Sequence, residues 1–461
     1  MTNTNKRDLG KDPVGRLLFS LAIPAIAAQL VNMLYNIVDR MYIGRMDGVG
    51  ANALTGVGLV FPILMMISAF SALVASGGAP KAAIKMGEGN LKGAEKIMGN
   101  CFIMLLLISA VIGISFYAFA EPILTLFGAS SQTLPFALEY MKIYLLGTPF
   151  VCIALGMNAF ITTQGFAGTG MCTVIIGAVI NIILDPILIF GLFGVPKMGV
   201  KGAAIATVAS QMVSAVWVVM FLFGKNTKLK IRKENFPLEK NVIAPVMALG
   251  LSPFIMQSTE SLLSICFISS LSKYGGDLAV GALTIINSVI QMFQMPIMGL
   301  SQGAQPIISY NYGARNKERV KKTFKLLFIA TSTFTVLFWL LIVGMPEIFA
   351  KIFTEDPILI EKAAWALKIY MAVGFTMAGQ MSCQQTFVAL GQAKVSLFLA
   401  MLRKIILLIP FIYIFPFFFA DKVFAVFLAE PVADFIAAAT TMTIFFVQFP
   451  KILNFEEESH K

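Results

Sequence analysis

CTVIIGAVINIILDPILIFGLF, residues 172–193, is twenty-two residues long and carries one ionisable side chain, Asp185. A helix that is apolar on every face for that length has only lipid to face, and a bilayer crossing takes about 20 mainly apolar residues. Working outward, runs of the same kind occupy 17–38, 54–75, 101–120, 135–160 and 203–223, which makes six. A second six begins at 242 and continues through 278–306, 324–345, 363–390, 395–420 and 423–449. The composition agrees. Of the 461 residues, 58% are hydrophobic and 13% are charged, whereas soluble domains average about 25% charged. A mean hydropathy of +0.83 belongs to no water-soluble core. The sequence predicts an all-α membrane protein of about twelve transmembrane helices. Its first 16 residues are polar, and the first apolar run lacks a small-residue cleavage site, so no secretory signal peptide is expected.

Basic residues set the expected orientation. With the N-terminus inside, 25 of the 35 Lys and Arg fall in inner segments. Four precede the first span, four lie in 81–96, six in 225–240, six in 315–325, three in 394–404 and two at the C-terminus. Cytoplasmic loops carry such an excess, so both termini are predicted to be cytoplasmic. The net charge of +11 is then topogenic rather than a nucleic-acid footprint. Cys101, Cys152, Cys172, Cys266 and Cys383 show no CxxC or metal-ligand spacing and read as packing residues. The single histidine, His460, sits in a solvated tail. No catalytic residue, metal site or cofactor is expected.

The chain also repeats itself. At a shift of 229, Pro24 matches Pro253 and Ala53-Leu54-Thr55 matches Ala282-Leu283-Thr284. At a shift of 226, Pro80 matches Pro306, Gly87 matches Gly313, Asn90 matches Asn316 and Gly165 matches Gly391. Lys142-Ile143-Tyr144 matches Lys368-Ile369-Tyr370 in the same register. Six spans return the chain to its starting side, so the halves are parallel repeats about a pseudo-two-fold axis along the membrane normal, a common transporter plan. The predicted domains are an N-terminal six-helix lobe (1–224), a cytoplasmic basic linker (225–240) and a C-terminal six-helix lobe (241–461).

Polar groups inside spans are costly and are the natural site candidates. Gln29, Asn32, Tyr35, Asn36 and Asp39 share one face of the first span. Tyr35 and Asp39 are four apart, close enough for the phenol to bond the carboxylate. The fifth span repeats the arrangement with Asn181, Asp185 and the loosening Pro186. Desolvation and hydrogen-bond donors pull such a carboxylate in opposite directions, which suits a group that takes up and releases a proton. The plainer alternative has Asp39, beside Arg40 and near Arg45, capping a helix at the outer surface. The repeat supplies a control: Asp39 falls on Ile268, Asp185 on Phe411 and Glu260 on Val31. The fold therefore does not need these acids. Further polar faces are Gln257, Glu260, Ser261 and Ser264 on the seventh span, and Asn287, Gln291 and Gln294 on the eighth. Gln380, Gln384 and Gln385 form one on the tenth, with Glu430 and Asp434 one turn apart on the twelfth. Such faces serve helix association as readily as ligand binding. The 26 Met and 40 Phe are mainly packing and lipid-facing residues.

These features resemble the multidrug and toxic compound extrusion (MATE) family over nearly the whole chain. The opening Leu21-Ala22-Ile23-Pro24, the helix ending near Asp39, the loop Gln164-Gly165 and above all the stretch from Asn181 through Asp185-Pro186 to Gly191 carry the likeness. The resemblance implies two six-helix lobes enclosing a cleft, in a monomer of the bacterial cell membrane. It implies export of cationic or amphipathic small molecules in exchange for H+ or Na+. It makes Tyr35, Asp39, Asn181 and Asp185 the ion-coupling site. Glu260, Asn158, Thr207, Asn287 and Gln291 are then expected to contact substrate, with Asn158 and Thr207 adjoining the coupling site. Two other readings differ in class. A lipid-linked sugar flippase of the same superfamily calls for a cleft lined by cations, whereas the candidate charges here are mainly acidic. A membrane-embedded transferase calls for a catalytic constellation that the sequence does not offer.

Overall fold

The computed structural model describes residues 8–455. Among them every regular element is helical. Nine helices are long and apolar enough to cross a membrane, and three features raise the number of spans to twelve. The longest helix, Lys240–Gly313, breaks at Gly276 (φ 61°, ψ −159°) into the seventh and eighth spans. Only glycine adopts that backbone without strain. Leu134–Leu146 and Thr148–Thr163 form the fourth span, bent by 57° where Gly147 and Pro149 interrupt the helix. Pro357–Tyr370 and Met377–Ala389, joined through the short turn Gly374–Thr376, form the tenth. The others are Val14–Gly44, Gly50–Gly87, Leu91–Ala118, Ala167–Phe190, Val200–Phe223, Lys317–Gly344, Ala393–Phe417 and Lys422–Ile452. Large apolar side chains point outward along these spans, among them Val111, Ile114 and Phe417. Lipid solvates them.

The chain forms two compact units. The first contains Pro24–Gly250, and the second contains Leu9–Ile23 together with the chain from Leu251 onward. In the first unit the second span meets the opening turns of the seventh backbone to backbone. A Cβ on Gly77 would overlap the Val246 carbonyl, and one on Gly250 would overlap that of Leu73. Small residues also seat the fifth span on the sixth. A Cβ on Gly202 would stand 2.6 Å from the Leu188 backbone, and the Ser214 hydroxyl donates to the Thr173 carbonyl at 3.1 Å. Close approach of this kind is how helices associate where no hydrophobic effect drives them. The segment after the sixth span is strapped to this unit. Gln164 Oε1 accepts from Thr227 Oγ1 and from the Lys228 and Leu229 amides, each at 2.8 Å. Glu95 takes the Lys230 amide and Arg232, while Asn100 bonds the backbone at Asn235, Pro237 and Glu239.

In the second unit the core is aromatic. Phe293 stacks on Phe338 at 5.7 Å, and Phe324 packs between Phe445 and Phe449 at 4.5 and 5.3 Å. Its eleventh span contains a widened π-helical turn, Leu402–Leu408. Asn311 and Arg319 hold the Leu9 carbonyl, and Arg319 also holds that of Asp12.

Backbone detail repeats with the sequence. Asn90 (φ −89°, ψ 72°) caps the third span and Asn316 (φ −90°, ψ 78°) caps the ninth, each accepting from the amide three residues on. Gly165 and Gly391 both lie in the left-handed region, at φ 93° and 73°. So do Gly89 (φ 78°) and its counterpart Arg315 (φ 54°).

Candidate functional site

The first unit gathers its polar residues from the first, fourth, fifth and sixth spans. Asp185 and Asn181 are fully buried on the fifth, and Asp39 on the first is 8% exposed. Asn181 Nδ2 donates to Asp185 Oδ1 at 3.2 Å and to Thr207 Oγ1 at 3.4 Å. The carboxyls of Asp39 and Asp185 stand against each other, although they lie 146 positions apart in a chain where neither has a polar counterpart. Asp39 is inside its helix rather than at the end, and Arg40 turns away to lie over the Phe61 ring at 5.1 Å. The burial of Asp39 counts against the surface-cap alternative. Tyr35 lies within electrostatic reach of both acids but makes no bond to Asp39 among the described residues. Instead the two carboxyls face one another. Asp39 Oδ1, Asn181 Oδ1 and Asp185 Oδ2 are all buried without a hydrogen-bond partner. Two tyrosines of the bent fourth span, Tyr140 and Tyr144, stack at 6.1 Å and complete the wall, Tyr140 reaching toward Thr207. Neither was singled out as a site residue from the sequence. The signal was their one-turn spacing in an apolar run and the match of Tyr144 to Tyr370.

The second unit carries a different cluster on the corresponding spans. Arg403 and Lys404, counted above among loop cations, sit in the widened turn of the eleventh span, 9% and 4% exposed. This is a correction to the charge count: two of the three basic residues in 394–404 are buried counter-ions. Arg403 bonds Asp434 at 2.5 Å and Glu430 at 3.2 Å. Lys404 pairs with Glu260 and donates to the Met256 carbonyl at 2.6 Å. Tyr370 of the tenth span lies beside this group, as Tyr140 of the fourth lies beside Asp39. Glu260 is not buried, its side chain being 67% exposed.

The remaining candidates scatter. Asn158 serves its own lobe, donating to the Gly170 carbonyl at 3.2 Å and accepting from Thr173, which ties the fourth span to the start of the fifth. Thr207 joins the acid pair through Asn181. Asn287 and Gln291 stand exposed, one turn apart on the eighth span, and join neither cluster among the described residues. His460 lies outside the described residues.

Duplicated six-span halves about an axis along the membrane normal are a common transporter plan. The MatE family model matches residues 24–187 and 253–414, once in each half of the sequence. The chain belongs to the MatE family, the multidrug and toxic compound extrusion transporters. It is similar to the multidrug export protein MepA of Staphylococcus haemolyticus (strain JCSC1435), 24% identical over 430 residues that cover 92% of each chain. MepA of Staphylococcus aureus (strain N315) is 24% identical over 415 residues, 88% of each. Among solved structures, a MATE transporter in its bent conformation superposes with a TM-score of 0.90 at 23% identity over 98% of each chain. A MOP superfamily transporter from Pyrococcus furiosus gives 0.89 at 22% identity, covering 98% of this chain and 99% of that one. At such identity these likenesses carry the fold.

Proposed function

We propose that the protein is a multidrug efflux antiporter that exports cationic or amphipathic compounds in exchange for H+ or Na+. The observation that carries this reading is the set of unsatisfied acceptors buried in the first unit. Asp39 Oδ1, Asn181 Oδ1 and Asp185 Oδ2 are buried without a donor, and a buried polar atom left unpaired costs about 1–3 kcal/mol. A positive charge completes such a cluster. A proton shared between the two carboxyls turns one of them into a donor, and a sodium ion takes oxygen ligands directly. Binding that charge removes negative potential from the site, so cargo and ion oppose each other's binding through one coupling free energy. Tyr35, Asp39, Asn181 and Asp185 are the coupling residues, with Thr207 holding Asn181. Glu260 supplies a reachable negative charge to cationic cargo. The lobes 1–224 and 241–461 act as a monomeric carrier through the 225–240 linker, with both termini in the cytoplasm of a cell membrane. The test is uptake of ethidium into inverted membrane vesicles under separately imposed proton and sodium gradients. Uptake is expected under one gradient and not without it. Vesicles that accumulate no lipophilic cation under either gradient sink the proposal.

A further inference from the structure

The acid–base cluster of the second unit has no part in the coupling scheme above. Its two cations are placed differently. Arg403 is fixed between Asp434 and Glu430, so it is committed. Lys404 is held by one carboxylate, Glu260, and one backbone carbonyl, that of Met256. Its side chain is 5% exposed, while that of Glu260 is 67% exposed. The lysine stands behind the acid, and anything approaching the carboxylate from outside meets the acid first. A second acceptor is also ready for the ammonium. Glu430 Oε2 is buried without a hydrogen-bond partner, in a side chain 8% exposed that lies within electrostatic reach of Lys404. Lys404 can therefore give up Glu260 and stay compensated, keeping the Met256 carbonyl and leaning on Glu430. The repeat argues that this is not scaffolding. Lys404 falls on Ala178 and Glu260 on Val31, and the first lobe builds the same fold with neither.

We infer that Lys404 is a tethered competitor for the Glu260 carboxylate, displaced by the cationic group of a transported compound, and that it thereby sets how tightly cations bind. The inference rests on the reading of Glu260 as a cargo-contacting acid. With the pair closed, the exposed carboxylate is neutralised from within and its long-range attraction for cations is cancelled. An incoming organic cation exchanges one ion pair for another, so affinity stays moderate and a bound compound is readily released. A permanently open carboxylate would hold its cargo too well for turnover.

The test is equilibrium binding of ethidium, and of Nile red as a neutral comparison, to the full chain purified in detergent and followed by fluorescence. Lys404→Gln keeps a donor for the Met256 carbonyl and removes the charge. It should tighten ethidium about tenfold, which corresponds to about 1.4 kcal/mol, and leave Nile red unchanged. Lys404→Arg retains the competing charge and should bind ethidium as the natural chain does. Glu260→Gln should weaken ethidium, and adding Lys404→Gln to it should give no tightening. A folded Lys404→Gln protein, checked by its melting temperature, whose ethidium affinity is unchanged or weaker overturns the inference. If Lys404→Gln does not fold, Lys404→Arg decides: ethidium binding tightened by the longer, bulkier cation would contradict simple charge competition. The two readings fail separately. Unchanged ethidium binding in Glu260→Gln removes Glu260 from cargo recognition, whereas weakened binding there with no effect of Lys404→Gln removes only the competitor.

Discussion

Two carboxyls meet in the first unit, and the side chains around them decide what each substitution does. Asp185 Oδ1 already accepts from Asn181, whereas Asp185 Oδ2 and Asp39 Oδ1 lack donors. Asp185→Asn changes volume little and brings an amide donor to the face where Asp39 waits. It should therefore fold, with a melting temperature in detergent equal to or above that of the natural chain, since satisfying a buried acceptor is worth about 1 kcal/mol. It should nevertheless lose gradient-driven ethidium efflux, because a permanently neutral residue cannot exchange its charge. Asp39→Asn should behave alike, and the double variant should transport no worse than either single one, as expected of residues acting as a unit. Retention of full, ion-dependent efflux by Asp185→Asn would exclude the pair from coupling. A second residue-scale prediction concerns backbone strain. Arg315 holds φ 54° where the first lobe places Gly89 at 78°. A left-handed conformation costs a non-glycine residue about 1–2 kcal/mol. Arg315→Gly should raise the melting temperature and Gly89→Ala should lower it; both can be read in one thermal-shift series.

At the scale of the element, the eleventh span shows both what the sequence discloses and what it hides. The apolar run 395–420 was legible as a span, because lipid exposure demands it. The location of Arg403 and Lys404 was not, since two bases near the end of a run look the same whether they face water or neighbouring acids. The missing cue lay on another helix: Glu430 and Asp434, one turn apart with no base near in sequence, required counter-ions from elsewhere. Pairing across 31 and 27 positions is a tertiary fact that no local pattern encodes. The acid pair was legible for the opposite reason. Asp185 stands as an isolated charge in an apolar run and Asp39 closes the polar face of the first span, so each announces itself, although their mutual contact and the Tyr140–Tyr144 wall do not. The geometry of the eleventh span yields a stability prediction. Arg403→Met leaves Glu430 and Asp434 buried without their cation, which typically costs about 3–5 kcal/mol. Loss of the folded, monodisperse protein is expected. Adding Glu430→Gln and Asp434→Asn should restore most of the melting temperature, since removing both sides of a buried ion pair is close to neutral. If the triple variant stays as unstable as Arg403→Met, the cation acts through packing rather than charge.

On the scale of the whole molecule, the duplication is visible in capping asparagines and left-handed glycines, yet the compact units do not follow the halves of the sequence. Leu9–Ile23 packs with the second unit, and the chain up to Gly250 packs with the first. Each half of the sequence therefore lends the opening of its leading helix to the other unit. In both units the lent segment is seated on glycine at corresponding positions. Val246 crosses at Gly77, and Ala22 crosses at Gly303, where a Cβ would come within 2.6 Å of the Ala22 nitrogen. Gly77 and Gly303 are related by the same shift of 226 that relates the capping asparagines. Two fragments divided after Gly224 should consequently be insoluble or degraded when made separately, because each lacks a helix its unit needs. Made together they should assemble, with the second fragment also bringing the strap that Gln164, Glu95 and Asn100 hold. Copurification of the second fragment through an affinity tag on the first, with ethidium efflux restored in cells, is the expected result. Gly77→Val or Gly303→Val, each adding a side chain where backbone meets backbone, should abolish copurification in the divided protein. The joined chain, for which closure costs less entropy, should be weakened but retain some assembly. Stable, folded fragments obtained singly would contradict the exchange of helix openings, since a half that folds alone has no use for the segment it borrows.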